Sequence, residues 1–184
     1  MKTVCVVAIG TVPAQILEWV ESVAAEWCPW PVLRLPALML PEGSYDAKRG
    51  QYESVEIMKA VARSRPSEAA RIIGVTDVDL AIPMLTFVFG QAQLDGPVAV
   101  VSLCRLRQEF YGLPGEQGLL RERVVKEVLH ELGHTFGLTH CGKPACAMSL
   151  ATHIGLVDTK EERYCANCGE QIAQRLASPD GEPL

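Results

Sequence analysis

Nowhere in its 184 residues does the sequence hold an apolar run long enough to span a membrane, nor a cluster of lysine and arginine. A membrane helix needs about 20 consecutive apolar residues, so no membrane association is expected. With 17 Lys and Arg against 22 Asp and Glu, the net charge of -5 offers no basic surface to a phosphate backbone. Nucleic acid is therefore excluded as an expected partner. The opening MKTVCVVAIG has too short an apolar run for a signal peptide and lacks a clear cleavage site. It reads instead as a buried first strand, with no segment before it to serve as a removable inhibitory propeptide. A disulfide framework is missing as well. Four of the seven cysteines have metal-ligand spacing, and Cys5, Cys28 and Cys104 remain as an odd set in apolar surroundings. Free buried thiols suit a reducing compartment. These absences together predict a cytoplasmic protein, expected to be a monomer.

What is present is the composition of a globular domain, 48% hydrophobic and 21% charged. The length suits one domain that buries about 70% of its unfolded surface. Lys2 to Ile9 is a continuous β-branched run, suited to a strand covered on both faces. Pro13 fits the first turn of a helix, and Ile16, Leu17, Val20, Val23 and Ala24 recur at helical spacing as far as Pro29. Residues 31–35 then give a second strand, parallel to the first. The spacing predicts a helix over 54–65, closed by Pro66, and a third strand over 71–76.

Asp77 and Asp79 follow that strand, either as turn and cap residues or as functional carboxylates. Leu85 to Gln91, with Phe87 and Phe89, and residues 97–103 are further strands. Residues 111–118 hold three glycines and a proline and read as a loop. The next helix carries Val124, Val125, Val128, Leu129 and Leu132 to pack beneath the sheet, leaving its other side to face a cleft. Residues 161–177 read as a C-terminal helix and 178–184 as a frayed tail.

Three of the four histidines fall within eleven residues, His130-Glu131-Leu-Gly-His134-Thr-Phe-Gly137-Leu-Thr-His140. Histidines four apart differ by only about 40° around a helix, so both can hold one metal ion from one face. Gly137 supplies the break that ends the helix, and His140 lies just beyond the turn, free to approach the same ion. Three nitrogens leave the fourth position of a tetrahedral zinc for water, the arrangement of a catalytic rather than a structural site. Glu131 would sit beside that water as general base. Chance would place H-E-x-x-H in well under about 1% of chains this long, which disfavours an ordinary amphipathic helix. Downstream, Cys141-x4-Cys146 and Cys165-x-x-Cys168 form two pairs whose spacing suits a closed tetrahedral zinc. Disulfides are the rival reading, disfavoured by the odd leftover thiols. Because Cys141 follows His140 directly, the two metals share one hinge.

The long histidine motif resembles the zinc-binding motif of the metzincin metallopeptidases. Together with Cys141, Cys146-Ala-Met148, Cys165-x-x-Cys168 and the strands IIGVTDVDL, LTFVFGQAQ and VAVVSLCRL, it resembles the archaemetzincins, over nearly the whole chain. The resemblance implies that His130, His134 and His140 bind catalytic zinc, that Glu131 is the base, and that Met148 is the methionine of the Met-turn. It implies that the strand over 85–91 is the sheet edge above the cleft, antiparallel to bound substrate, with Phe89, Gly90 and Gln91 offering backbone groups. A buried strand without a substrate role is the alternative. Some metzincins use a tyrosine after the Met-turn to stabilise an oxyanion, for which Tyr164 is the candidate. His153 is expected at the surface or behind the ligands.

The expected architecture is an α/β domain with a mixed, mainly parallel twisted sheet, a backing helix and an active-site helix. An upper part, 1–137, would carry the sheet and that helix. A small zinc-stapled lower part, 138–184, would complete the chain. The expected activity is zinc-dependent hydrolysis of peptide bonds in a peptide or protein substrate, with two zinc ions per chain, one catalytic and one structural. A non-catalytic zinc protein that binds peptides or partner proteins through the same cleft is the alternative; a merely binding site has no need of Glu131. A module built on the four cysteines, with the histidine site secondary, is a second alternative.

Overall fold

Thr3–Ile9 (β1) is buried along its whole length, as a β-branched run covered on both faces should be. The computed structural model describes residues 1–177. After β1 come α1 (Ala14–Trp27), β2 (Val32–Arg34), β3 (Tyr45–Asp46), β4 (Gln51–Glu53), α2 (Ser54–Ser64) and β5 (Ala69–Thr76). Then follow β6 (Leu80–Ile82), β7 (Leu85–Val88), β8 (Gly90–Ala92), β9 (Val98–Ser102), α3 (Gln117–Thr135), α4 (Ile154–Thr159) and α5 (Ala166–Ala177). Five strands form the main sheet in the order β2-β1-β5-β9-β8. All its pairings are parallel except that of the edge strand β8 with β9. The fold is thus the mixed, mainly parallel sheet that the sequence predicts.

Alternation along β1 sends its side chains to two separate cores. Val4, Val6 and Ala8 pack with α1 and α3, whereas Cys5, Val7 and Ile9 pack with Ile57, Met58 and Val61 of α2. Two helices therefore lie on one face of the sheet and one on the other. Every residue of α3 from Arg123 to Gly133 is buried, so its polar side chains are held by protein rather than by water.

Several expectations need correction. The strand expected over 85–91 is split at Phe89. Its first half, β7, pairs with β6 at the edge of a second sheet, β3-β4-β6-β7, that the sequence did not suggest. The C-terminal helix starts at Ala166 rather than at Glu161. The preceding residues are drawn out along α3, where Tyr164 donates its hydroxyl to the Leu129 carbonyl at 2.6 Å. Helix α3 begins inside the expected loop, because Glu116 caps it by accepting from the N–H groups of Gly118 and Leu119 at 2.9 and 2.6 Å. The short α4 was not foreseen. The tail expected over 178–184 lies outside the described residues.

Candidate metal centre

The end of α3 builds the histidine cluster. Gly137 takes a left-handed conformation (φ 78°), the Gly137 N–H bonds the His134 carbonyl at 2.9 Å, and the Leu138 N–H bonds the Gly133 carbonyl at 3.0 Å. These are the two bonds of a Schellman motif, which ends the helix at Thr135, the residue after His134, and turns His140 back toward it. His130 Nδ1 lies 2.9 Å from the Ala147 carbonyl oxygen, and His134 Nδ1 lies 2.7 Å from that of Leu138. A carbonyl oxygen only accepts, so each Nδ1 carries the proton and each Nε2 presents a lone pair. The two Nε2 atoms face one another at 3.1 Å. Two lone pairs held that close repel unless a cation lies between them, so the donor set fits zinc. The ligand atoms of His130, His134 and His140 all lie within 4.8 Å of one another. His130 is buried, His134 half-buried and His140 exposed, which leaves one side of the cluster open to the cleft.

That cleft, about 640 Å³, is bounded by β7 and β8 above and by α3 below, with Leu150–Thr152 as its far wall. Glu131 is buried and packs against Gly90 of β8; a Cβ on Gly90 would lie 2.6 Å from Glu131 Oε1. Burial first, and the Glu127 carboxylate second, push the Glu131 carboxyl well above its ordinary value, while the Lys160 ammonium pulls the other way. Such a carboxyl, one residue along the helix from the His130 imidazole, can take up a proton and release it.

The residues after His140 bring four thiols together, as the spacing predicts. The sulfurs of Cys141, Cys146, Cys165 and Cys168 lie within 4.8 Å of one another. The Lys143 N–H points to Cys141 Sγ at 3.5 Å and the Cys165 N–H to Cys146 Sγ at 3.3 Å. The Cys168 N–H holds the Cys165 thiol down, to about 7, whereas burial pushes Cys168 up. Four thiolates so close cannot ionise together without a cation, and N–H donors to sulfur favour their charged form, so this set also fits zinc. The clusters are joined through Cys141, whose N–H bonds the Met148 carbonyl at 2.9 Å. Met148 is fully buried, and its sulfur fills the place a side chain on Gly133 would need.

The remaining candidates separate cleanly. Tyr164 is buried against α3, edge-on to Trp27, and its hydroxyl is committed to Leu129, so it does not serve the cleft. His153 is exposed at the start of α4. Asp79 and Asp77 are bidentate partners of Arg105 and Arg107 at 2.6–3.0 Å, a structural use. The Phe89 carbonyl accepts from the Ser102 N–H at 2.8 Å, and the Gln93 N–H bonds the Val98 carbonyl at 2.9 Å, both inside the main sheet. By alternation, Gly90 and Ala92 are the residues of β8 whose backbone groups face the cleft, in place of Phe89 and Gln91. Cys5 and Cys28 are buried and Cys104 partly so, each without a metal cluster around it among the described residues. Sequence reasoning missed Glu127 and Lys160, a buried ion pair at 2.8 Å beside Glu131 and His130. A glutamate four residues before Glu131 was the available signal, but nothing in the sequence brought Lys160 to it.

Comparison with known proteins agrees with this geometry. The profile of Peptidase family M54 matches residues 38–174, which include both ligand clusters. The archaemetzincin of Methanocaldococcus jannaschii is 38% identical over 172 residues, covering 94% of this chain and 93% of the relative. The crystal structure of archaemetzincin from Methanopyrus kandleri superposes with a TM-score of 0.84 at 38% identity, covering 97% of this chain and 96% of that one. That of Archaeoglobus fulgidus, complexed with malonate, gives 0.78 at 33% identity, covering 93% and 99%. Matched along nearly its whole length by these proteins, and carrying both a three-histidine and a four-cysteine cluster, the chain belongs to Peptidase family M54, the archaemetzincins, and is a zinc metallopeptidase.

Proposed function

We propose that His130, His134 and His140 hold the catalytic zinc, that Cys141, Cys146, Cys165 and Cys168 hold a second, structural zinc, and that Glu131 is the general base. The observation that carries this reading is the pair of lone-pair-bearing Nε2 atoms 3.1 Å apart, next to a buried carboxyl. Zinc in the histidine site would polarise the scissile carbonyl and acidify the attacking water. The chain's own residues do the rest. The Ala147 and Leu138 carbonyls fix the tautomer and ring plane of the first two ligands. Glu131 takes the proton from water and passes it to the leaving amine, a task suited to a carboxyl whose burial lets it hold a proton.

The substrate is a peptide or protein segment in extended form. It lies along β8, where Gly90 and Ala92 offer N–H and C=O groups and strand addition gives main-chain affinity. Within residues 1–137, β7 and β8 form the upper wall of the cleft and α3 its floor, and the chain over 138–177 closes the other side and carries Met148. The protein works as a monomer in the cytoplasm, in keeping with its free thiols. No described helix is long and apolar enough to cross a membrane. Digestion of a peptide library by the zinc-loaded protein, beside the same protein treated with a chelator, tests the reading. Chelator-sensitive cleavage within peptides is expected; library peptides left intact at every zinc level would overturn it.

A further inference from the structure

The Lys160–Glu127 pair is a fully buried ion pair beside the site that the mechanism above leaves unused. Its Nζ–Oε1 distance is 2.8 Å, and the two side chains are only 0% and 3% exposed. Glu127 stands one helical turn before Glu131, so the two carboxyls follow one another on the same side of α3. Lys160 is the first residue after α4, and its ammonium also lies 3.5 Å from His130 Nδ1. That nitrogen already gives its proton to Ala147, so the ammonium gains no bond from it. Stability does not account for the pair, since two buried charges are often replaced by apolar residues at no loss. Its neighbours already hold this segment to α3. Asp158 is bidentate with Arg123 at 2.7 and 2.8 Å, and Tyr164 bonds Leu129.

We propose that Lys160 and Glu127 are a positioning pair for Glu131: Lys160 compensates Glu127 in place, so that one uncompensated carboxyl, Glu131, faces the scissile bond. The inference rests on Glu131 being the base. Glu127 fixes the place of the Lys160 ammonium beside α3. Lys160 in turn cancels the field of Glu127 at the neighbouring carboxyl. Without Lys160, a second buried anion stands one turn from Glu131, and the two carboxylates push apart. Without Glu127, a buried cation is left facing His130 and the metal site. Removing both charges restores the balance.

The test is a double-mutant cycle of Lys160→Met, Glu127→Gln and the double variant, with Glu131→Gln alongside. Each protein is read for kcat and KM on a quenched peptide cleaved by the parent, for zinc content and for thermal unfolding. Glu127→Gln keeps the shape of the parent and serves if Lys160→Met folds poorly. Each single variant should lose kcat by about tenfold to a hundredfold, the scale of a misplaced catalytic group, at nearly unchanged KM and zinc content. The double variant should recover to within about threefold of the parent, as coupled neighbours do. Singles at parental rate, a double as slow as the slower single, or losses that only follow zinc release or unfolding would each overturn the pair. Parental turnover by Glu131→Gln would instead overturn the base itself. An inactive Glu131→Gln beside a parental Lys160→Met removes the pair and leaves the base standing.

Discussion

Gly90 and Glu131 touch so closely that any side chain at position 90 would occupy the space of the glutamate. A Cβ there would sit 2.6 Å from Oε1 and 2.7 Å from Cγ of Glu131, and 2.7 Å from the Val100 carbonyl across the sheet. The Glu131 side chain thus lies directly against the backbone of the edge strand, and the glycine is what permits it.

Gly90→Ala is expected to displace the Glu131 carboxyl, since Val100 blocks the strand from yielding the other way. Turnover should fall on the order of 10²-fold, as for a misplacement of about 1 Å. Overpacking should cost stability about 1–3 kcal/mol. Steady-state kinetics with parallel thermal unfolding check this. A variant with parental kcat would show that the contact does not matter to the reaction.

The two clusters should answer differently to loss of a ligand. Metal analysis is expected to find two zinc ions per chain, and one after His134→Ala. Because α3 is held by buried contacts from Arg123 to Gly133, loss of the catalytic ion should lower stability only modestly. Cys168→Ser should remove the other ion. A structural zinc site can contribute about 10 kcal/mol or more of apparent binding free energy, so the stretch from Cys141 to Cys146 should loosen. His140 would follow through its neighbour Cys141, and the catalytic zinc should bind more weakly. The Arg123–Asp158 and Tyr164–Leu129 bonds should keep residues 158–164 on α3. A Cys168→Ser protein that melts like the parent and retains two ions would contradict the staple.

Acid should release zinc and destabilise the fold together. Burial first, and the Lys160 ammonium second, hold His130 well below its ordinary 6.5; burial also lowers His134 and His140. Below about pH 6.5 the unfolded chain takes up protons that the folded imidazoles refuse. The unfolded state then binds more protons, so stability falls as pH falls. Protons compete with the metal in the same direction. Zinc content and thermal midpoint should both drop between about pH 7 and about pH 5, and the midpoint of metal-free His134→Ala should drop less than that of metal-free parent. The raised Glu131 carboxyl works in the opposite direction and is present in both proteins, so a metal-free parent whose midpoint falls no more than that of metal-free His134→Ala would be inconsistent with buried neutral histidines.

Much of this site could be read from the sequence because its parts are local. The helical spacing of His130 and His134, the helix-ending Gly137 and the two cysteine pairs each express chemistry within a few residues. β1, β5 and β9 were legible for a related reason, since strands buried on both faces are continuous apolar runs. What escaped notice depends on residues far apart. The second sheet rests on strands of two to four residues, too short to show a period. The break at Phe89 comes from β7 and β8 finding different partners, β6 and β9, although they are consecutive in sequence. The start of α5 was misplaced because Tyr164, which a helical pattern would include, is drawn instead to Leu129, 35 positions away. Lys160 reaches Glu127 across 33 positions, and only the folded chain reveals that meeting.

The most direct measurement of the central claim is peptide hydrolysis by Glu131→Gln at matched zinc content. The substitution keeps the size of the side chain and leaves all three histidines in place, so both ions should remain. Turnover should fall on the order of 10²–10⁴-fold, the usual weight of a general base. Hydrolysis by the zinc-loaded variant at the parental rate would contradict the account.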